Sequence, residues 1–305
     1  MHLDWNPDQA TFATVLGQML EGAEAEFRNV EGWGRFDYGA ALEAVLEEAG
    51  FFEAAGEPDL GPVAGAWMVH EVARRPVVLE CAASVLLRPF LGAEVPRPLA
   101  VMVDDAPGAL RFLPMARALV AISDHGVRLA YLNAGDVQAV ESVFAYPMGE
   151  LAGEPEWQDL PVDPKHLRQL WRVGVAAELC GAMSGALEAV LEHVRTREQF
   201  GRPLGSFQGV QHRLATDAVK IEAARLQMLR AAQSLTPDHA AQALAYAQGI
   251  ATSIGYDLHQ FMGAMGLTLE HPLHRWTYRM RLLRADMGGA QAASRAYADA
   301  RWGAA

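Results

Sequence analysis

The stretch Arg195-Thr-Arg-Glu-Gln-Phe-Gly-Arg-Pro-Leu-Gly205-Ser-Phe-Gln208-Gly-Val-Gln-His212-Arg-Leu-Ala215 decides how this chain is read. Its first residues close a long helical pattern, Gly201 and Pro203 break it, and Ser206-Phe-Gln208 makes a polar start to another helix. Upstream, Leu170, Val173, Ala177, Cys180, Ser184, Leu187, Leu191 and Val194 recur in alternating steps of three and four. That spacing predicts one long helix from Lys165 with a narrow seam against other helices. Gly174, Gly181 and Gly185 lie within it although glycine costs a helix about 1 kcal/mol against alanine. Close approach of a neighbouring backbone is the expected reason. Downstream, helical patterns run over 206–235, 238–263 and 271–300, so residues 165–305 read as a C-terminal four-helix bundle.

Outward toward the N-terminus the texture changes twice. Residues 150–164 hold Pro155, Pro161 and Pro164 among several acids and read as a linker. Before them, residues 93–150 alternate short apolar runs with turns. The runs are LAVMV (99–103), ALRFLP (109–114), ALVAISD (118–124), VRLAYLN (127–133) and AVESVFAYP (139–147). The turns are Asp104-Asp105-Ala-Pro-Gly108, Asp124-His125-Gly126 and Asn133-Ala-Gly135, which together predict a reduced middle β-domain. Residues 1–92 read as an N-terminal helical domain. Asp8 is the expected cap of a helix over 9–28. Tyr38–Ala49 carries Leu42, Val45 and Leu46 and ends at Gly50, and two further helices are expected over 62–74 and 76–91. The fold class is therefore mostly α.

The chain has 305 residues, with 25 Lys+Arg against 37 Asp+Glu and a formal net charge of −12. With 51% hydrophobic and 20% charged residues it reads as globular, of about two or three domains. The acidic balance excludes a nucleic-acid binder, which needs clustered cations to neutralise phosphates. Cys81 and Cys180 are two isolated cysteines in apolar contexts, expected to be buried and reduced rather than a disulfide or zinc site. His259, His271 and His274 lack metal-ligand spacing. The first residues form no export signal, and no apolar run reaches about 18 residues. A soluble, cytoplasmic protein without a membrane partner is expected.

The segment 195–215, together with Gln260-Phe-Met-Gly263-Ala264-Met-Gly266-Leu-Thr268-Leu-Glu270-His271, resembles the C-terminal domain of the acyl-CoA dehydrogenases. These are flavoenzymes that desaturate acyl-CoA thioesters, and the two matches stand in the family's order. The resemblance implies that Arg197, Gln199 and Phe200 reach across a subunit interface to a neighbour's FAD. A guanidinium suits that task because it pairs a pyrophosphate through planar, charged hydrogen bonds. It also implies that Gln260, Gly263 and Gly266 form a loop whose backbone approaches the ADP moiety. One departure stands in that loop, where Ala264 replaces the second glycine of the family's pair.

Two larger departures shape the expectation. The family's middle domain carries a Trp-containing segment that walls the flavin ring, and residues 96–149 contain no Trp. The family's base is a Glu close to the C-terminus or near the start of the long helix. Here those places read Arg284-Ala-Asp286-Met-Gly-Gly and Trp171-Arg172, and neither holds a Glu. Glu178 is the remaining candidate base. Glu270 reads as a local helix-capping pair with its histidines, and Asp286 as helix surface. The chain resembles the reduced subunit of heteromeric bacterial members that act on steroid side chains. The implied partners are a longer acyl-CoA dehydrogenase-like subunit in an α2β2 assembly, an acyl-CoA and an electron-transfer flavoprotein-type acceptor. FAD is then shared, with the base in the partner. The alternatives are a self-sufficient homotetramer using Glu178, and a non-catalytic scaffold on the same bundle.

Overall fold

The computed structural model describes residues 5–28, 34–106, 108–133 and 135–303. Pro107 and Ala134, within two of the expected turns, lie outside the described residues, as do residues 1–4 of the N-terminal stretch. The chain begins with α1 (Pro7–Arg28), α2 (Ala40–Glu48), α3 (Gly61–Ala73) and the short α4 (Ala82–Leu86). Asn6, not Asp8, caps α1. Its Oδ1 accepts from the Gln9 amide at 2.8 Å while Gln9 Oε1 accepts from the Asn6 amide, a reciprocal capping box. Asp8 sits inside the first turn, where its charge favours the helix dipole. Gly50 ends the second helical segment with φ of 74°, a conformation open to glycine.

The expected helix over 76–91 is absent except for α4. Residues 76–80 are non-helical instead because other groups claim their backbone. Val78 exchanges hydrogen bonds with Asp37 and Gly39. Arg275 and Arg279 from the C-terminal half take the carbonyls of Pro76 and Val77. Glu80, buried, closes the segment by accepting from the amides of Ala83 and Leu99.

The middle region forms two small sheets. β1 (Leu99–Val103) pairs in parallel with β3 (Ala118–Ser123), which pairs antiparallel with β4 (Gly126–Tyr131) and through it with β7 (Gln158–Leu160). β2 (Leu110–Arg111), β6 (Met148–Leu151) and β5 (Val137–Val140) form the second sheet, in that order. Two sequence expectations change here. The run 109–114 yields only the two residues of β2, because Phe112 turns to φ of 64° and a 3₁₀ turn follows. The run 139–147 is strand only to Val140, and the stretch read as a linker supplies β7 and the end of β6. Its prolines at 155, 161 and 164 all fall outside β7, so they cost the ladder nothing.

The C-terminal half is built on α5 (Pro164–Thr196), capped by the Asp163 carboxylate on the Lys165 amide at 2.9 Å. It is followed by the hairpin of β8 (Glu198–Gln199) and β9 (Arg202–Pro203), then α6 (Gln208–Ser234) and α7 (Pro237–Met262). The expected fourth helix over 271–300 is two, α8 (Leu273–Leu283) and α9 (Gly289–Trp302). Met287, Gly288 and Gly289 all have positive φ. Gln248 holds the break open by donating to the carbonyls of Leu283 and Asp286, both at 2.9 Å.

α5 is not limited to a narrow apolar seam: every residue from Val173 to Met183 is buried, because α3, α4, α6, α7 and α8 surround it. By length and composition it could cross a membrane, yet 83% of its apolar window is buried inside the protein, as in a core helix. The glycine expectation holds at two of three positions. A Cβ would stand 2.2 Å from the His70 carbonyl oxygen at Gly181, and 2.2 Å from that of Arg74 at Gly185. At Gly174 it would meet only side chains, at 3.3 Å. Both cysteines are free and buried, and burial pushes the Cys180 thiol up to about 12.

Candidate functional site

Two places bring chemistry-bearing residues together. The first is a cavity of about 430 Å³ between the strands and the bundle. Val101, Val103, Leu110 and Met148 line it from the sheets, Trp171 from α5, and Leu282 and Asp286 from the α8–α9 break. Arg111 forms its inner wall, an isolated cation in the apolar run Ala109–Leu113 that ends β2 with only 9% exposure. Its Nη1 donates to Glu178 Oε2, and its Nη2 lies 3.6 Å from Asp286 Oδ2. Tyr146, from the loop after β5, donates its hydroxyl to Glu178 Oε1 at 2.7 Å. The guanidinium lies 5.0 Å from the Trp171 ring and 5.6 Å from that of Tyr146, distances at which aromatic faces favour a cation.

The electrostatics follow from this enclosure. Burial opposes the charge on Arg111, but Glu178 and Asp286 more than offset it and hold its pKa well above the usual range. Burial lifts the Asp286 carboxyl above its usual range, with Arg111 pulling back and Glu178 adding to the rise. Burial and then Glu178 raise the Tyr146 phenol far beyond its ordinary value.

Glu178, the candidate base, is 7% exposed and does not line the large cavity. It faces a void of about 10 Å³ behind Arg111, a space about the size of one water at most. Asp286, expected on a helix surface, is instead on the cavity wall. The glycine-rich break ends α8 and aims that turn at Arg111. Glu270 is exposed and makes no cap; His271 Nδ1 accepts from the Leu273 amide at 3.1 Å in its place. Among the described residues no cluster of His, Cys, Asp and Glu could hold a metal ion. The sequence did not single out Arg111, Tyr146 or the wall position of Trp171. A lone arginine between Leu110 and Phe112 was the available signal, because a cation in an apolar run needs buried partners.

The second place is one end of the bundle. Arg197, Gln199 and Phe200 are all exposed on the β8–β9 hairpin, and Phe200, at its apex with φ of 55°, is 90% exposed. The Arg197 amide donates to the His193 carbonyl at 2.8 Å. Burial and then Arg197 lower the His193 pKa, and burial and then His193 lower that of His271. Gln260, on the last turn of α7, and Gly263, which opens the loop, are exposed; Gly263 has φ of 65°, and nothing lies within 4 Å of where its Cβ would be. Gly266 is buried, and a Cβ there would stand 2.9 Å from that of Met262.

This arrangement can be tested against FAD. The exposed arginine, amide side chain and open Gly263 backbone fit contacts to the phosphate and ADP end of a flavin held mainly elsewhere. Among the described residues a ring wall is not matched. Trp157, the tryptophan nearest the sheets in sequence, sits between them with Ala100, Leu113 and Leu119 and bonds Glu154 at 2.6 Å. It does not line the cavity.

Comparison with known proteins agrees with this architecture. Residues 169–299 match the family model described as acyl-CoA dehydrogenase, C-terminal domain. The 3-sulfinopropanoyl-CoA desulfinase of Variovorax paradoxus is 31% identical over 195 residues, covering 63% of this chain and 47% of that protein. The chain thus spans about half the length of that curated relative. Among solved structures, the ChsE4–ChsE5 complex from Mycobacterium tuberculosis has a TM-score of 0.74 at 20% identity, covering 97% of each chain. The Tcur3481–Tcur3483 steroid ACAD variant has a TM-score of 0.74 at 22% identity, covering 96% of this chain and 97% of that one. Helical first part, small sheets and bundle all follow that fold. Residues 169–299 thus match the C-terminal domain of the acyl-CoA dehydrogenases, and the chain as a whole has the fold of the structures it resembles.

Proposed function

We propose that this chain is the reduced subunit of a heteromeric, FAD-dependent acyl-CoA dehydrogenase, an α2β2 assembly with a longer subunit of the same family. One observation carries the reading. The hairpin residues that would meet a neighbour's flavin stand exposed, with Phe200 at their apex, while the chain's own sheets offer no wall for the ring. Large exposed aromatics at a hairpin tip suit burial against another chain.

In this reading Arg197 pairs the pyrophosphate, Gln199 and Gln260 hydrogen-bond the ADP end, and Phe200 packs against the partner. Gly263 admits the cofactor's approach, and Gly266 keeps the loop tight. FAD, when bound, supplies the acceptor for the hydride that leaves the acyl chain. The longer subunit supplies the ring pocket and the base. The substrate is an acyl-CoA, and a steroid side chain is supported by the named steroid ACAD among the similar folds. An electron-transfer flavoprotein-type protein is the proposed electron acceptor. Two free, buried cysteines support a reducing compartment, the cytoplasm. The relative named as a desulfinase acts on a thioester bearing a sulfinate. Here Arg111 is already held by two carboxylates, which disfavours a second anion and supports an uncharged acyl chain.

The chain and a longer acyl-CoA dehydrogenase-like subunit encoded in the same genome, expressed separately and together, test this through flavin absorbance per chain. Little flavin alone and about one per co-purified pair is the expected result. Full flavin occupancy in the lone chain would return the homotetramer with Glu178 as base. No flavin in either preparation would leave the scaffold.

A further inference from the structure

Asp217 is an acid on the apolar face of α6. It shares that buried face with Leu214, Ile221 and Ala224, and its side chain keeps only 1% exposure. Its Oδ1 accepts from Lys220 Nζ at 3.3 Å, one turn along the same helix. Its Oδ2 is buried and meets no hydrogen-bond donor. Across the contact with α7, the group within hydrogen-bonding reach is a second carboxyl, Asp257, whose Oδ1 is held by Arg213. We propose that Asp217 and Asp257 share one proton across the α6–α7 contact, and that this proton is a latch holding the end of α7, with Gln260 and Gly263, against α6.

A buried carboxylate oxygen without a donor costs free energy, and a like charge facing it adds to the cost. One proton removes both terms. On Asp217 Oδ2 it turns an acceptor into a donor, and the acceptor in reach is Asp257. The flanking cations cannot take its place. Arg213 is 50% exposed and Lys220 33%, so water screens both, whereas Asp217 is shut away from water. Burial and then the Asp257 charge accordingly raise the Asp217 carboxyl above its usual range, with Lys220 pulling it back. Arg213 joins the cluster from α6 through Asp257. Among the described residues neither α3 nor α5, which also pack on α6, sends an ion pair to either acid.

Position turns this proton into a mechanical element. Asp257 stands one turn before Gln260 on α7, and the helix ends at Gly263. Arg213 grips the same end twice, through Asp257 and by lying 4.9 Å from the Phe261 ring. As pH rises, the O–H bond of Asp217 breaks, the proton passes to water and the electron pair stays on Oδ2. Two like charges then face each other. Asp217 is fixed in the core of the bundle, whereas Asp257 keeps 18% exposure and an exposed partner in Arg213. The element that yields is therefore the end of α7, and Gln260 and the Gly263 backbone move with it. The latch is closed in acid and opens as pH rises. Nothing in it depends on a flavin or on a second subunit.

Two measurements on the full chain test this. The carboxyl carbon-13 resonance that disappears in Asp217→Asn follows the titration of Asp217. Amide hydrogen exchange over residues 258–262, corrected for the intrinsic rate, follows the end of α7. Asp217 should titrate above the ordinary aspartate value of about 3.9. Protection of 258–262 should fall by up to about tenfold per pH unit between that value and the observed one, then level off. In Asp217→Asn the side-chain amide donates to Asp257 at every pH, so protection should stay flat across the same window. Asp257→Asn supplies the donor from the other side and should bring the Asp217 titration down toward its ordinary value. The resonance it shifts identifies the same carbon if Asp217→Asn does not fold. An Asp217 carboxyl that titrates at or below the ordinary value overturns the latch. So does protection at the end of α7 that changes alike in the parent and in Asp217→Asn.

Discussion

The α-carbon of Gly185 faces the carbonyl of Arg74 so closely that a Cβ would stand 2.2 Å from the oxygen. The same Cβ would lie 2.7 Å from Trp276 Nε1, which donates to that carbonyl at 3.0 Å. Three elements, α3, α5 and α8, therefore meet at a point that no side chain can enter. Gly185→Ala should destabilise the protein by about 3 kcal/mol, combining overpacking with loss of a hydrogen bond. Gly174→Ala meets only side chains at 3.3 Å. Its gain in helix propensity, about 1 kcal/mol, should roughly cancel the strain. Urea unfolding of the two variants side by side checks the contrast, and equal effects would contradict this account of α5.

Tyr146 and Arg111 are the two groups that satisfy Glu178. Tyr146→Phe preserves the ring that packs near Phe112 and removes only the hydroxyl. The buried carboxylate then lacks one donor, at a cost of about 1.5–3 kcal/mol, the scale for hydrogen bonds to charged groups. Denaturation midpoints measure it. A change below about 0.5 kcal/mol, typical of surface positions, would mean that water replaces the phenol.

The hairpin makes the opposite prediction. Arg197 and Phe200 are exposed, so Arg197→Ala and Phe200→Ser should each change the stability of the lone chain by no more than about 0.5 kcal/mol. In the co-purified pair both should lower the flavin retained per chain after dialysis. Unaltered flavin content in both variants would remove this hairpin from the cofactor site.

Asp286 gives a pH dependence with a definite sign. Its folded pKa is raised by burial above the unfolded value of about 3.9. The folded state therefore binds this proton more tightly. Its contribution to stability is complete below that unfolded value and is lost as pH rises through the folded pKa. Asp286→Asn removes the titration, so its stability relative to the parent should improve steadily across that window and then level off. Urea titrations at stepped pH values follow the difference; a difference that narrows with rising pH would contradict the assignment.

Sequence patterns revealed those parts of the fold that local periodicity encodes. α3, α6 and α7 begin and end within two residues of the expected limits, because apolar spacing and terminal Pro or Gly mark them. Misread segments are those whose backbone is claimed by distant partners. Val77, Val78 and Leu79 look helical, yet Arg279 and the Tyr38 bridge hold that stretch out of a helix. Residues 284–289 look continuous until Gln248, far away in sequence, takes two of their neighbouring carbonyls. The segments proposed to contact a flavin were visible because they are contiguous. Arg111, Glu178 and Asp286 were not joined by any pattern, since strand, helix and turn bring them together only after folding.

At the end of α3 and just after it, the first part of the molecule presents backbone oxygens to α8. Trp276, Arg275 and Arg279 together engage the carbonyls of five consecutive residues, Ala73 to Val77. Every one of those acceptors belongs to the main chain. The information that docks the first third of the molecule onto its last third is thus written almost entirely on one side of the contact. Residues 73–77 are free to drift in identity, as far as this contact is concerned, so long as the chain keeps its path. Arg279 is not, because three oxygens would lose their donor at once. Tolerance to substitution at this junction is lopsided, and a mutational scan should find α8 the unforgiving partner.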